Sequence, residues 1–151
     1  MRILAAAAVA LTVAGTSVGT AWAADPDVII SYRKGLMEAI GAHAQALGNI
    51  SQGKLPYDKT FLAHARMLAA AATLAPQAFE ENTHGQGKEK TTAKEAVWTD
   101  WAKFERGLQD MRDRAKEVAS VAASGGAAAA GPALGELFKT CKSCHDDFRT
   151  K

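Results

Sequence analysis

Only two of the 151 residues are cysteine and four are proline, and no segment alternates apolar and polar side chains over the length of a strand. Without that alternation, and with Ala, Leu, Lys, Glu and Gln dominating, no half-buried sheet face can be drawn, which excludes β and α/β folds. Charge of one sign is missing as well: 18 Lys and Arg stand against 16 Asp and Glu, a formal net charge of +2. A nucleic-acid binder concentrates basic charge on one face, so that class is excluded, and no charged tail announces a partner. The two cysteines are three apart, and a bridge between such near neighbours would close a tiny loop and stabilise little. Chemistry rather than stapling has to explain them. No activated nucleophile, carboxylate pair or second metal cluster stands out, which argues against an enzyme.

The chain opens with a charge at Met1-Arg2, a run of Ala, Val and Leu from Ile3 to Val18, and the small-x-small pattern Ala21-Trp22-Ala23. This reads as a secretory signal peptide over residues 1–23, directing residues 24–151 to the periplasm as one domain. The apolar run is short and interrupted by Gly and Thr, which disfavours a spanning helix. Nothing after residue 23 reads as apolar enough to cross a membrane, so no membrane insertion is expected after cleavage.

Four helices can be drawn. The first runs from about Pro26 to Ile50 with Asp25 as N-cap, its apolar residues Ile29, Leu36, Ile40 and Leu47 recurring near the helical period. The second starts at Asp58, carries Phe61, Leu62, Ala65 and Leu68 on one stripe, and fades near Ala75-Pro76. Residues 79–94 read as a long polar surface loop. The third spans about Ala93 to Ala122 on Trp98, Trp101, Phe104, Leu108, Met111, Ala115 and Val118, and ends at Ser124-Gly125-Gly126. An Ala-rich turn follows, and the fourth begins near Pro132 and continues to Phe148. Four stripes joined by short connections predict an all-α, antiparallel four-helix bundle, whose many alanines leave room for something large.

Near the end stands Cys141-Lys142-Ser143-Cys144-His145, the C-x-x-C-H spacing of c-type haem attachment. Residues three apart on a helix share a face, so both thiols can add to the two vinyl groups of one porphyrin, and His145 then meets the iron. A structural zinc site needs four ligands, whereas His43, His64 and His84 are isolated and read as solvated. A thioredoxin-type dithiol needs a βαβ context, and no strand is visible. One covalently bound haem c, with iron held by His145, is therefore the expected cofactor.

A haem motif at the extreme C-terminus, with Tyr32-Arg33 through His43, Leu55-Pro56-Tyr57-Asp58 and Ala96-Val97-Trp98, resembles the class II c-type cytochromes over the whole of residues 24–151. These comprise cytochrome c′ and its low-spin relatives of the c-556 type, and the resemblance is taken as closest to the latter. Counting from Tyr32-Arg33, it implies that Met37 is the sixth iron ligand, with Leu36 as an apolar cap if Met37 is only a flexible core filler. Met67 and Met111 compete as ligands only if the first-helix register is wrong. Arg33, Met37 and Gly41 share one helical strip, which lets Arg33 pair with a haem propionate and Gly41 admit the porphyrin edge. The family pattern further implies Arg149 on the proximal face, Phe148 and Phe79 against the haem, and Trp98 as the third-helix tryptophan. His/Met ligation predicts electron transfer between exported redox partner proteins. The alternative is an open, five-coordinate iron that binds small gases such as nitric oxide. Family members dimerise through the first two helices, so a homodimer or a monomer is expected.

Overall fold

The computed structural model describes residues 24–151; the expected signal peptide lies outside them. Helix α1 spans Pro26–Ser51. It starts where Asp25 accepts the Asp27 amide at 2.9 Å, with Pro26 in the first turn, where a missing N–H costs nothing. Its buried stripe is Ile30, Leu36, Ile40 and Leu47, so Ile30 takes the inward position expected of Ile29. Helix α2 spans Asp58–Phe79 and runs through Pro76 instead of fading there. Proline removes only the bond to the Ala72 carbonyl, and side chains take over at the helix end. The Arg33 Nε donates to the Ala78 carbonyl and the Trp98 Nε1 to the Phe79 carbonyl, each at 2.9 Å. Terminal carbonyls without a helical partner are thereby satisfied.

The expected third helix is divided. Helix α3 is the short Ala96–Thr99, and Asp100, at φ −123 and ψ 50, breaks it from α4, Trp101–Phe148. Within α4, Gly126 sits at φ 74 and ψ −171 and separates a first arm, residues 101–125, from a second arm, residues 127–148. The second arm thus starts before Pro132 and includes the stretch expected to be a turn. Ala127–Ala130 has the highest helix propensity of any residue type, and Pro132, in the second turn of the arm, removes only the bond to the Ala128 carbonyl. The arms pack against each other, with Phe104 and Phe148 ring centroids 5.1 Å apart, and with α1 and α2 they make a four-helix bundle. No strand occurs among the described residues, only an isolated bridge between Ala93 and Arg149.

One 18-residue window of α4 reaches a mean hydropathy of 1.2, long and apolar enough by composition to cross a membrane, which corrects the expectation for residues 24–151. Small residues raise that value, and the Gly126 break denies α4 a straight course through its Ala-rich middle.

The stretch from Glu80 to Glu95 is non-helical, as expected, but tied to the bundle. Asp27 Oδ1 accepts the amides of Lys88 and Glu89 at 2.6 and 2.7 Å, and Lys34 pairs with Glu89. Gly87, at φ 71, makes that approach possible, since a Cβ there would lie 2.2 Å from Asp27 Oδ1. Further on, the Lys94 amide donates to the Phe148 carbonyl and the Thr150 amide to the Thr92 carbonyl. The loop is therefore held alongside the end of α4.

Candidate haem site

Between α1 and the two arms of α4 lies a cavity of about 820 Å³. The second arm brings Cys141, Cys144 and His145 to it on adjacent turns, and both cysteines are unpaired and half-buried. Burial pushes both thiols up, Cys144 to about 11 with Cys141 and Asp147 adding to the effect, so they stay protonated at neutral pH. The His145 imidazole is pushed down, first by partial burial and then by the Arg149 guanidinium, which favours the neutral form whose lone pair can bind a metal. The Arg149 amide donates to the His145 carbonyl at 3.1 Å, so the last helical turn fixes both residues together.

The first arm supplies Phe104, Gly107, Leu108 and Met111 to the same cavity, one stripe at three- and four-residue spacing. Gly107 faces the cysteines: a Cβ on it would stand 3.5 Å from Cys144 Sγ. Phe104 meets Phe79 edge to face at 4.8 Å and Phe148 at 5.1 Å, a row of three rings in the cavity wall. Residues 90–93 close another side. Composition marked that segment only as polar loop, and the signal for its role is the pairing of Lys94 and Thr92 with the chain end, which no local pattern encodes.

Of the residues proposed from sequence, Cys141, Cys144, His145, Met37, Gly41, Phe79, Phe148, Arg149 and Arg33 all line the cavity. Trp98 does not. It lies behind Arg33, whose guanidinium sits 4.9 Å from the Phe79 centroid and 5.0 Å from that of Trp98. Arg33 is only 2% exposed and donates to the Ala78 carbonyl, the Thr83 hydroxyl at 3.0 Å and the Glu81 carbonyl at 3.3 Å. Its observed partners are thus the end of α2 and the start of the loop. Met67 is exposed, whereas Met111 is buried in the first arm and reaches the cavity.

The sequence model of the family described as cytochrome C′ matches residues 28–149. The chain belongs to the cytochrome c′ family. It is 39% identical over 126 residues to cytochrome c′ of Pararhodospirillum photometricum, covering 83% of this chain and 99% of that one. Against cytochrome c′ of Rhodospirillum rubrum the identity is 36% over 141 residues, covering 93% and 95%. The crystal structure of cytochrome c′ from Rubrivivax gelatinosus has a TM-score of 0.76 to it at 28% identity, covering 83% and 98%. A nitric oxide complex of a variant cytochrome c prime from Alcaligenes xylosoxidans has a TM-score of 0.73 at 26% identity, covering 85% and 98%.

A cytochrome c′ binds one haem c covalently, and two thiols and an imidazole on one helix face, opening on an apolar cavity, fit that group. The expectation of a low-spin, His/Met-ligated electron carrier is corrected by these relatives. They are cytochromes c′, and a variant of one similar cytochrome c′ is solved as a nitric oxide complex.

Proposed function

We propose that this chain is an exported cytochrome c′ in which His145 would be the protein ligand of the haem iron and the iron would bind a small neutral gas, nitric oxide foremost. The observation that carries this is the middle of the wall α1 turns to the cavity: Met37, Ile40, Gly41 and Ala44 have no hydrogen-bond donor in their side chains, and Arg33 and Lys34, which also line it, donate to the Ala78 and Glu81 carbonyls, Thr83 and Glu89. Such a wall solvates charged or strongly hydrated ligands poorly, whereas an uncharged diatomic loses little on entering. Dioxygen also gains little against those four side chains, which offer no donor to steady a polarised bound oxygen. The nitric oxide complexes of the Alcaligenes xylosoxidans relative support the same reading.

Haem, when bound, supplies an iron centre that coordinates the gas and exchanges one electron. The chain's own part is geometric and electrostatic. Cys141 and Cys144 fix the porphyrin through two thioethers, and Arg149 favours a neutral His145 while holding the end of α4. Phe148, Phe104 and Phe79 pack the cavity, Gly41 leaves room beside α1, and Met37 serves as apolar wall. Residues 1–23 act as the export signal for the haem domain at residues 24–151. The exported redox partners expected from sequence would exchange electrons at the cavity mouth. A homodimer through α1 and α2 is favoured, because the exposed Val28, Tyr32, Met67 and Leu74 all lie on those two helices.

Optical spectra of the purified haem protein test the reading. The ferric form is expected to be high-spin, and the ferrous form to shift saturably on adding carbon monoxide or nitric oxide. A low-spin spectrum that carbon monoxide leaves unchanged would overturn it.

A further inference from the structure

His43 on α1 and His64 on α2 are 21 residues apart in sequence, yet their Nδ1 atoms lie 3.0 Å apart with ring centroids at 5.2 Å. This corrects the reading of two isolated, solvated histidines. Neither lines the haem cavity, and both are half-buried on the seam between the helices, beside the buried Leu47 and Leu68. As neutral rings they share one hydrogen bond, one Nδ1–H donating to the other Nδ1.

The same spacing suits a metal ion. With metal–nitrogen bonds of about 2.0–2.1 Å, two imidazole nitrogens at cis or tetrahedral angles around one ion stand roughly 2.8–3.4 Å apart. That range brackets the observed 3.0 Å. Chelation requires both rings to turn from this contact until their Nδ1 lone pairs meet at one point, with the displaced proton carried on the Nε2 of the same ring. Two neutral imidazoles therefore bind with no net proton release. No cluster of three or more His, Cys, Asp or Glu exists among the described residues, so water completes the coordination from the exposed side.

We propose that His43 and His64 form an exchangeable chelate for a divalent transition-metal ion, Cu²⁺ foremost, that ties α1 to α2 outside the haem cavity. Imidazole suits the borderline ions, and Cu²⁺ binds most tightly of the first-row divalent series at a given site. The site stands independently of the haem reading.

Titration of the holoprotein with Cu²⁺, followed by electron paramagnetic resonance and thermal melting, tests it. In the holoprotein His145 is engaged in the haem site, leaving His43, His64 and His84 as the free imidazoles. Wild type is expected to bind one equivalent with nitrogen hyperfine structure and to melt at a higher temperature with the ion. Because the second imidazole binds intramolecularly once the first is engaged, H43A and H64Q should each weaken binding by on the order of a hundredfold. Their haem spectra and metal-free melting report that the bundle is intact, and H84A should bind as wild type does. No saturable binding by wild type, or unchanged one-equivalent binding in the H43A/H64A double variant, overturns the proposal.

Discussion

At the scale of single residues, Arg33 shows how a charge can be buried without a counter-charge. Among the described residues its guanidinium has no carboxylate partner; three oxygens and two aromatic faces replace water, and burial lowers its pKa from the ordinary arginine value. Replacing it with methionine leaves those acceptors unpaired, so Arg33→Met should destabilise the haem protein by about 3 kcal/mol, read from denaturant unfolding. A loss below about 1 kcal/mol would mean the guanidinium contributes no net hydrogen bonding. Gly107 makes the complementary case. Its missing side chain leaves space 3.5 Å from Cys144 Sγ, so Gly107→Leu should fill porphyrin volume and lower covalent haem incorporation, measured by haem staining against total protein. At this scale the sequence was legible wherever spacing along one helix sets which side chains share a face, as at Cys141, Cys144 and His145, which line one cavity. It was illegible wherever separate helices meet. Met37 could be placed on the right strip, but whether a thioether reaches a metal depends on the separation of α1 from α4, which no local pattern records. His43 and His64 were missed for the same reason.

Helices were the most readable elements, because each buries an apolar stripe at a period near 3.6 and the stripes were present in the sequence. Breaks between them were harder. Pro132 read as a start and the alanines before it as a turn, yet the chain breaks at Gly126, where φ 74 with ψ −171 is open only to glycine. Nothing lies within 4 Å of the position a Cβ would take there, so any penalty for alanine is backbone strain alone. Gly126→Ala should therefore destabilise by about 1–3 kcal/mol and lower the melting temperature, while leaving the haem spectrum unchanged. The loop from Glu80 to Glu95 was legible as loop and illegible as wall. Its anchors are backbone amides caught by Asp27 and carbonyls shared with the end of α4, and backbone groups look alike in every sequence. Gly87→Ala drives a methyl group into Asp27 and should detach that wall, increasing protease cleavage between residues 80 and 95.

For the whole molecule the deciding quantity is the cavity. An alanine-rich bundle brings its backbones together around small side chains, and about 820 Å³ remains unfilled by protein between α1 and α4. Cavity volume costs about 24 cal/mol per Å³, so a fully dry void of this size would cost on the order of 20 kcal/mol. That exceeds the roughly 5–15 kcal/mol by which a domain is stable. The open mouth admits water and reduces the penalty, but water against Phe104, Leu108 and Phe148 is itself unfavourable. A porphyrin held by Cys141 and Cys144 would fill that space and complete the core. Cys141→Ser with Cys144→Ser should yield a chain that retains much of its helical circular dichroism yet binds a hydrophobic dye and loses a sharp thermal transition. If the double variant instead melts cooperatively near the wild-type temperature without haem, the cavity collapses at little cost, and the bundle rather than the porphyrin is the source of stability.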